Sequence, residues 1–220
     1  MGVSHLATKV TYDALEHPQS RSMPALYALS PLHGPLERVP DAPLAVCDAI
    51  CIQNGYTTVA AVTVGAMGHK VAIVMGSGSD RPVMEKAAAM LDQFDIESDV
   101  RVLSAHKTPD QALEFATNAA DNGFEVLIAG AGKAAHLAGV MAAKSLLPVI
   151  GVPISASLDG MDALLATVQM PTGIPVATVA IDGAANAALL AVAILAVSDE
   201  GLRDKLAQYR VDLAEKTLAG

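Results

Sequence analysis

The chain has 220 residues, is 52% hydrophobic and 17% charged, and carries a net charge of -9. That length and polarity fit one substantial globular domain with an extension, and 14 basic against 23 acidic residues argue against a nucleic-acid surface, which needs clustered Lys and Arg. With aromatics at 3% and no Trp, the core must come from Ala, Val, Leu, Ile and Met, small side chains that let helices pack closely on a sheet.

Residues 1–70 read as an N-terminal extension. Residues 1–40 are polar and broken by His17-Pro18-Gln19-Ser20 and Ser30-Pro31-Leu32-His33-Gly34-Pro35, which predicts an irregular arm. Met1–Lys9 lacks the basic and apolar regions of a secretory signal, and no run reaches the roughly 18 apolar residues of a spanning helix. The expectation is a soluble, cytoplasmic protein without membrane partners. Residues 41–67 are more apolar and predict a helix followed by a strand over Thr57–Val64. Cys47 and Cys51 would then sit one helical turn apart, and no second Cys or His pair completes a zinc site, so no metal is expected.

From Val71 the pattern becomes regular. Short β-branched runs at Val71–Met75, Val100–Leu103, Glu125–Ala129, Leu147–Val152 and Val176–Ile181 alternate with Ala- and Leu-rich segments of helical length. The alternation predicts βαβ units and a mostly parallel sheet over residues 71–220. Thr108-Pro109-Asp110-Gln111 predicts a helix start, with Thr108 capping, Pro109 in the first position and Gln111 completing a capping box. Ala184–Val197 is Ala-rich with a single Asn186, as in a buried helix. In the last segment, Asp199–Leu218, an amphipathic helix would align Leu202, Leu206, Tyr209 and Leu213.

Loops leaving the carboxyl ends of parallel strands meet on one edge, where open α/β sheets bind ligands. Three such loops carry chemistry: Gly76-Ser77-Gly78-Ser79-Asp80, Ser104-Ala105-His106-Lys107, and Gly130-Ala131-Gly132-Lys133-Ala134-Ala135-His136-Leu137. Each has an ordinary reading as well. Asp80 could cap the helix holding Pro82, His106 could be a satisfied loop histidine, Lys107 and Lys133 could be solvated, and His136 could pack at a helix start. The first loop is a poor dinucleotide fingerprint, because Arg81 stands where the third glycine belongs. Together the loops supply backbone donors, hydroxyls, a carboxylate, cations and two imidazoles, enough to hold a phosphate and move a proton.

These motifs, with Leu147-Pro148-Val149-Ile150-Gly151-Val152-Pro153, Val168-Gln169-Met170-Pro171 and Ala184-Ala185-Asn186-Ala187-Ala188-Leu189-Leu190, follow one another in an order that resembles the class I N5-carboxyaminoimidazole ribonucleotide mutases, the PurE family of purine biosynthesis. The resemblance covers Val71 to about Leu218. It implies a three-layer α/β/α sandwich with a flavodoxin- or Rossmann-like sheet, a homo-octamer with sites shared between subunits, a ribonucleotide substrate and no cofactor. It implies that His106 is the acid–base residue, that Ser77 and Asp80 bind the ribose and phosphate region, and that Lys107 stands for a phosphate-contacting Arg with Ser104 beside it. Gly132, Lys133, His136 and Leu137 fall in the loop that closes over the base. Where the family usually reads Gly-Ala-Gly-Gly-Ala-Ala-His-Leu-Pro-Gly, Lys133 replaces a glycine and Ala138 a proline, and the approach through Asp182-Gly183 is shorter. Set beside the mutase are a paralogue acting on another carboxylated nucleotide or fixing free carbon dioxide, and a catalytically silent nucleotide-binding subunit.

Overall fold

Valine, isoleucine and alanine dominate the segments that become the central strands, because a strand buried on both faces has no polar side to show. The computed structural model describes residues 46–53, 56–63 and 68–220. The arm expected over residues 1–40 lies outside them. The segment expected to form a helix instead forms β1 (Val46–Gln53), paired antiparallel with β2 (Tyr56–Thr63) so that Val46 faces Thr63 and Gln53 faces Tyr56. Its β-branched content and the intervening Asn54-Gly55, a dipeptide favoured in two-residue hairpins, are the sequence signals for that outcome. Cys47 and Cys51 accordingly lie along a strand, about 13 Å apart at the usual rise, rather than on one helical turn.

The remaining residues build a wound α/β unit. β3 (Lys70–Met75) leads through a short 3₁₀ turn into α1 (Arg81–Asp92), then come β4 (Glu97–Val102), α2 (Pro109–Asn118), β5 (Val126–Gly132) and α3 (Leu137–Lys144). β6 (Val149–Ile154), α4 (Met161–Val168), β7 (Ala177–Thr178), α5 (Ala184–Leu195) and α6 (Glu200–Ala219) complete it. The sheet order is β4-β3-β5-β6-β7 and every pairing is parallel. Counted from β3, this is the 2-1-3-4-5 order of flavodoxin-like sheets.

Strand parity splits the core in two. Val71, Ile73, Met75, Val126, Ile128, Ile150 and Val152 face α1 and α5, whereas Ala72, Val74, Leu127, Ala129 and Val149 face α2 and α3. All of them are buried. The small residues needed for close helix approach sit on the strands themselves. A Cβ on Gly130 would lie 2.3 Å from Sδ of Met84 on α1, and one on Gly151 would lie 2.4 Å from Cγ2 of Thr167 on α4. The C-terminal helix expected from the Leu202 periodicity is α6. Asp199 caps it by accepting the Leu202 N–H at 2.9 Å, and Leu202, Leu206 and Tyr209 reach the core while Leu213 stays exposed.

At the amino edge of the sheet, His69 joins α6 to two strands. Its Nδ1 lies 2.7 Å from Glu125, just before β5, and its Nε2 lies 3.1 Å from Asp199. Burial pulls the His69 pKa down, but the hydrogen bonds and charges of the two carboxylates outweigh it and hold the imidazole above its ordinary value. β4, an outer strand, has an alternating surface in which Arg101 pairs with Asp99 at 2.7 Å.

Candidate active site

The strand order reverses between β3 and β5, and there the loops leaving β3, β4, β5 and β6 open a cavity of about 410 Å³ at the carboxyl edge. This is the switch-point crevice of an open α/β sheet, at a size that suits a small metabolite. Its walls include Ser77, Asp80, Ser104, His106, Lys107, Gly132, Lys133 and Leu137. His136, the remaining expected residue, is exposed and lies outside the lining, with its Nδ1 2.9 Å from Nε2 of His106. Ser79 and Ala156 also line the cavity but were not expected there. Ser79 belongs to the same Ser-rich loop, and Ala156 follows β6 just as the other loops follow their strands, so the carboxyl-edge rule applied to β6 is the signal that finds it.

The first loop is fixed from within. The Gly76 N–H donates to Gly130 O at 3.0 Å, tying it to β5, and the Ser77 Oγ accepts from the Ser79 hydroxyl at 2.9 Å. Asp80 is 8% exposed. It occupies the N-cap of α1 without making a side-chain cap, and its Oδ1 accepts from the Ser79 hydroxyl at 3.3 Å. A carboxylate held at a cavity wall but not used by the helix has acceptor capacity left for ligand hydroxyls.

The second loop departs from the expected capping box. Thr108 stands at the N-cap of α2 but caps nothing; its Oγ1 turns back to accept the Ser104 N–H at 2.8 Å and to donate to Ser104 O at 3.3 Å. Two bonds to the loop outcompete one to the helix end, a local alternative common for Ser and Thr. The Ser104 Oγ, buried, accepts the N–H of Lys107 at 3.2 Å and of His106 at 3.4 Å. The loop carrying His106 is therefore pinned by hydroxyls at both ends.

His106 leans across β3 toward the third loop. Its Nε2 lies 2.9 Å from Nδ1 of His136, with the rings edge-on, 5.0 Å between centroids and 82° between planes. One nitrogen of the pair must carry the shared proton, so the tautomers of the two rings are coupled. The same loop holds Lys133 at φ 56°, in the left-handed region. A non-glycine residue there costs about 1 kcal/mol, and the turn enforces it: the Ala135 N–H donates to Lys133 O and the His136 N–H to Ala134 O, both at 2.8 Å. Gly132 must be glycine, because a Cβ would meet Ala156 Cβ at 2.8 Å and Ile154 O at 3.1 Å. No helix among the described residues is long and apolar enough to cross a membrane, and no cluster of three metal-ligating side chains occurs among them.

A family model described as AIR carboxylase matches residues 70–216. A Pyrococcus abyssi protein named N5-carboxyaminoimidazole ribonucleotide mutase is 56% identical over 145 residues, covering 66% of this chain and 83% of its own length. A Mycobacterium tuberculosis H37Rv protein of the same name is 53% identical over 151 residues, 68% of this chain and 87% of its own. Among solved structures, Treponema denticola PurE superposes with a TM-score of 0.63 at 32% identity, over 68% of this chain and 94% of that one.

Proposed function

The chain belongs to the AIR carboxylase family, and on that premise we propose that it converts N5-carboxyaminoimidazole ribonucleotide into 4-carboxy-5-aminoimidazole ribonucleotide in purine (IMP) biosynthesis. The enzyme is an isomerase, a mutase that moves a carboxylate within one molecule. The observation that carries the reading is His106 on the wall of the switch-point cavity, hydrogen-bonded to His136 at 2.9 Å.

The transfer has a closed proton balance that one imidazole can serve. The bond between the exocyclic nitrogen and its carboxylate breaks, carbon dioxide leaves, and the nitrogen takes a proton from His106. Ring carbon C4 then attacks the trapped carbon dioxide, and the C4 proton returns to His106. An imidazole, ionising near neutrality, suits both directions. His136 holds the ring in one orientation and couples its tautomer to its own.

Strand order arranges the other roles. Ser77 and Asp80, after β3, take the ribose and its phosphate arm; Lys107, after β4, supplies the cation for phosphate beside the positive end of α2, with Ser104 anchoring it. Gly132, Lys133 and Leu137, after β5, close on the base. Residues 71–220 form the catalytic domain in this reading and residues 1–70 an appended segment, consistent with a family match that begins at residue 70. The protein acts in the cytoplasm, where a phosphorylated nucleotide is retained, as a homo-octamer. Exposed apolar residues such as Met161, Leu165 and Val168 on α4 support burial between subunits.

The test is a spectroscopic assay of purified protein with N5-carboxyaminoimidazole ribonucleotide, with and without added bicarbonate. Conversion independent of bicarbonate is expected. Carboxylation of aminoimidazole ribonucleotide that requires bicarbonate, with no turnover of the N5-carboxylated compound, would replace mutase by carboxylase. Absence of both reactions would remove the enzyme reading.

A further inference from the structure

Two lysines line the cavity, and they sit on opposite sides of it. Lys107 follows β4 and Lys133 follows β5, with β3 between them, so their backbones leave the sheet roughly 10 Å apart at ordinary strand spacing. Two cations separated in this way match a ligand with an anionic group at each end. A phosphate on Lys107 leaves the second cation for whatever negative charge the far end of the ligand carries.

Lys133 carries a side chain where the backbone favours glycine. Its backbone occupies the left-handed region at φ 56° within a tight turn, a conformation glycine would adopt without strain. The loop after β6 passes directly over this turn, because Gly132 nearly touches Ala156. Across that crossing stands Asp162, at the start of α4. Its carboxylate accepts from the Ser157 hydroxyl and, at 2.9 Å, from the Ala163 N–H. Asp162 is held below the usual carboxylate range, first by the Ser157 bond, then against burial by the backbone donors, and last by the charge of Lys133. The contact of Gly132 with Ala156 and the bond from Ser157 to Asp162 place that carboxylate beside the Lys133 turn, yet among the described residues Lys133 forms no ion pair within 4.0 Å. It remains a cation at a cavity wall with its hydrogen-bond donors still to be used.

We propose that Lys133 is a specificity-determining residue: its ammonium binds the carboxylate that distinguishes carboxylated aminoimidazole ribonucleotides from the uncarboxylated one, and Asp162 at the start of α4 attracts it when that carboxylate is absent. The inference rests on the mutase reading and adds to it the means by which this chain selects carboxylated nucleotide. The ionisable groups that line the same cavity are Asp80, Lys107 and His106, and Asp162 lies across the crossing. Of the two carboxylates, Asp162 already has two donors and Asp80 is turned toward Ser79. Neither satisfies the lysine as a bound carboxylate would.

The experiment is titration calorimetry on the full chain with 4-carboxy-5-aminoimidazole ribonucleotide and with aminoimidazole ribonucleotide. It compares wild type, Lys133→Met, Lys133→Gly, Lys133→Arg and Asp162→Asn. Wild type should prefer the carboxylated compound. Lys133→Met and Lys133→Gly should each lower that preference about fivefold, the scale of one partly exposed charge contact, through weaker binding of the carboxylated ligand alone. Lys133→Arg should keep the preference. Asp162→Asn should raise it, by removing the competitor. A ratio unchanged within twofold in both Lys133→Met and Lys133→Gly overturns the proposal, and so does an equal loss of both affinities, which marks loop damage. An unchanged ratio with mutase turnover intact sinks this inference alone. Wild-type protein that takes neither ribonucleotide sinks it together with the mutase reading.

Discussion

An imidazole at a cavity wall is useful only if it is oriented, and at His106 the 2.9 Å bond to His136 does this, coupling the tautomers of the two rings. Replacing His106 with Asn should lower turnover by about two orders of magnitude or more while leaving most ligand affinity, because the loop is pinned by Ser104 and Thr108 rather than by the ring. Stopped assays of kcat alongside calorimetry check this; near-normal kcat would take His106 out of the chemistry. At the neighbouring position, Lys107→Arg should hold or strengthen binding by offering a two-pronged phosphate contact, and Lys107→Ala should weaken the ribonucleotide more than its dephosphorylated nucleoside. Equal losses for both ligands would contradict the phosphate role. Much of this site was legible in the sequence, since a polar loop after each apolar run falls on one edge whenever the strands are parallel. The expected Thr108 cap was not, because the sequence cannot show which of two backbone partners a hydroxyl chooses. Loop position brings both imidazoles to this edge, but their direct bond is not legible in the sequence, since it depends on how the loops after β4 and β5 lie on either side of β3.

At the scale of elements, glycines set how closely helices and loops approach the sheet. Gly132→Ala places a Cβ against Ala156 and the Ile154 carbonyl, neither of which can rotate away, so the crossing of the two loops must open. A stability loss of about 1–3 kcal/mol is expected, read as a lower denaturation midpoint, together with reduced turnover. Unchanged turnover would mean that the crossing does not shape the site. His69 makes a different kind of link, tying α6 to the sheet through Glu125 and Asp199. Because its folded pKa is raised, its contribution is fully present below the unfolded value of about 6.5 and is lost as pH rises through the folded value. The Asp199 carboxyl is lowered, by the Leu202 N–H first and by His69 after it, so its share is present above the ordinary carboxylate range and lost as pH falls through the lowered value. Denaturant unfolding of wild type and His69→Gln should therefore differ by about 1 kcal/mol near pH 5.5 and converge toward pH 8.5, the partners being exposed to solvent. A constant difference across that range would deny the linkage. Elements rich in β-branched residues were read close to their places; the errors have physical causes. β4 begins at Glu97, ahead of the apolar run at Val100, because an outer strand tolerates charge. β7 shrinks to Ala177–Thr178 at the opposite margin. β1 was taken for a helix because Ala and Cys carry little strand signal beside their valines and isoleucines.

For the molecule as a whole, the small-residue composition proved the right guide to architecture. Alanines on α5 and glycines on β5 and β6 allow helices to sit close on both faces of the sheet. The exposed apolar residues of α4 and the end of α6, Leu218 among them, should be covered in the assembled enzyme. Light scattering should give the mass of eight 22.5-kDa chains, and a charge introduced at Leu165 should lower it. A monomeric mass for wild type would refute the octamer. The two margins of the five-stranded sheet carry a further consequence. One is β4, which carries Glu97 paired with Lys70 and Asp99 paired with Arg101; the other is the two-residue β7. Charged or stunted borders repel a foreign strand that might otherwise zip onto the open backbone groups. Edge-to-edge strand pairing between copies of this chain is thereby disfavoured.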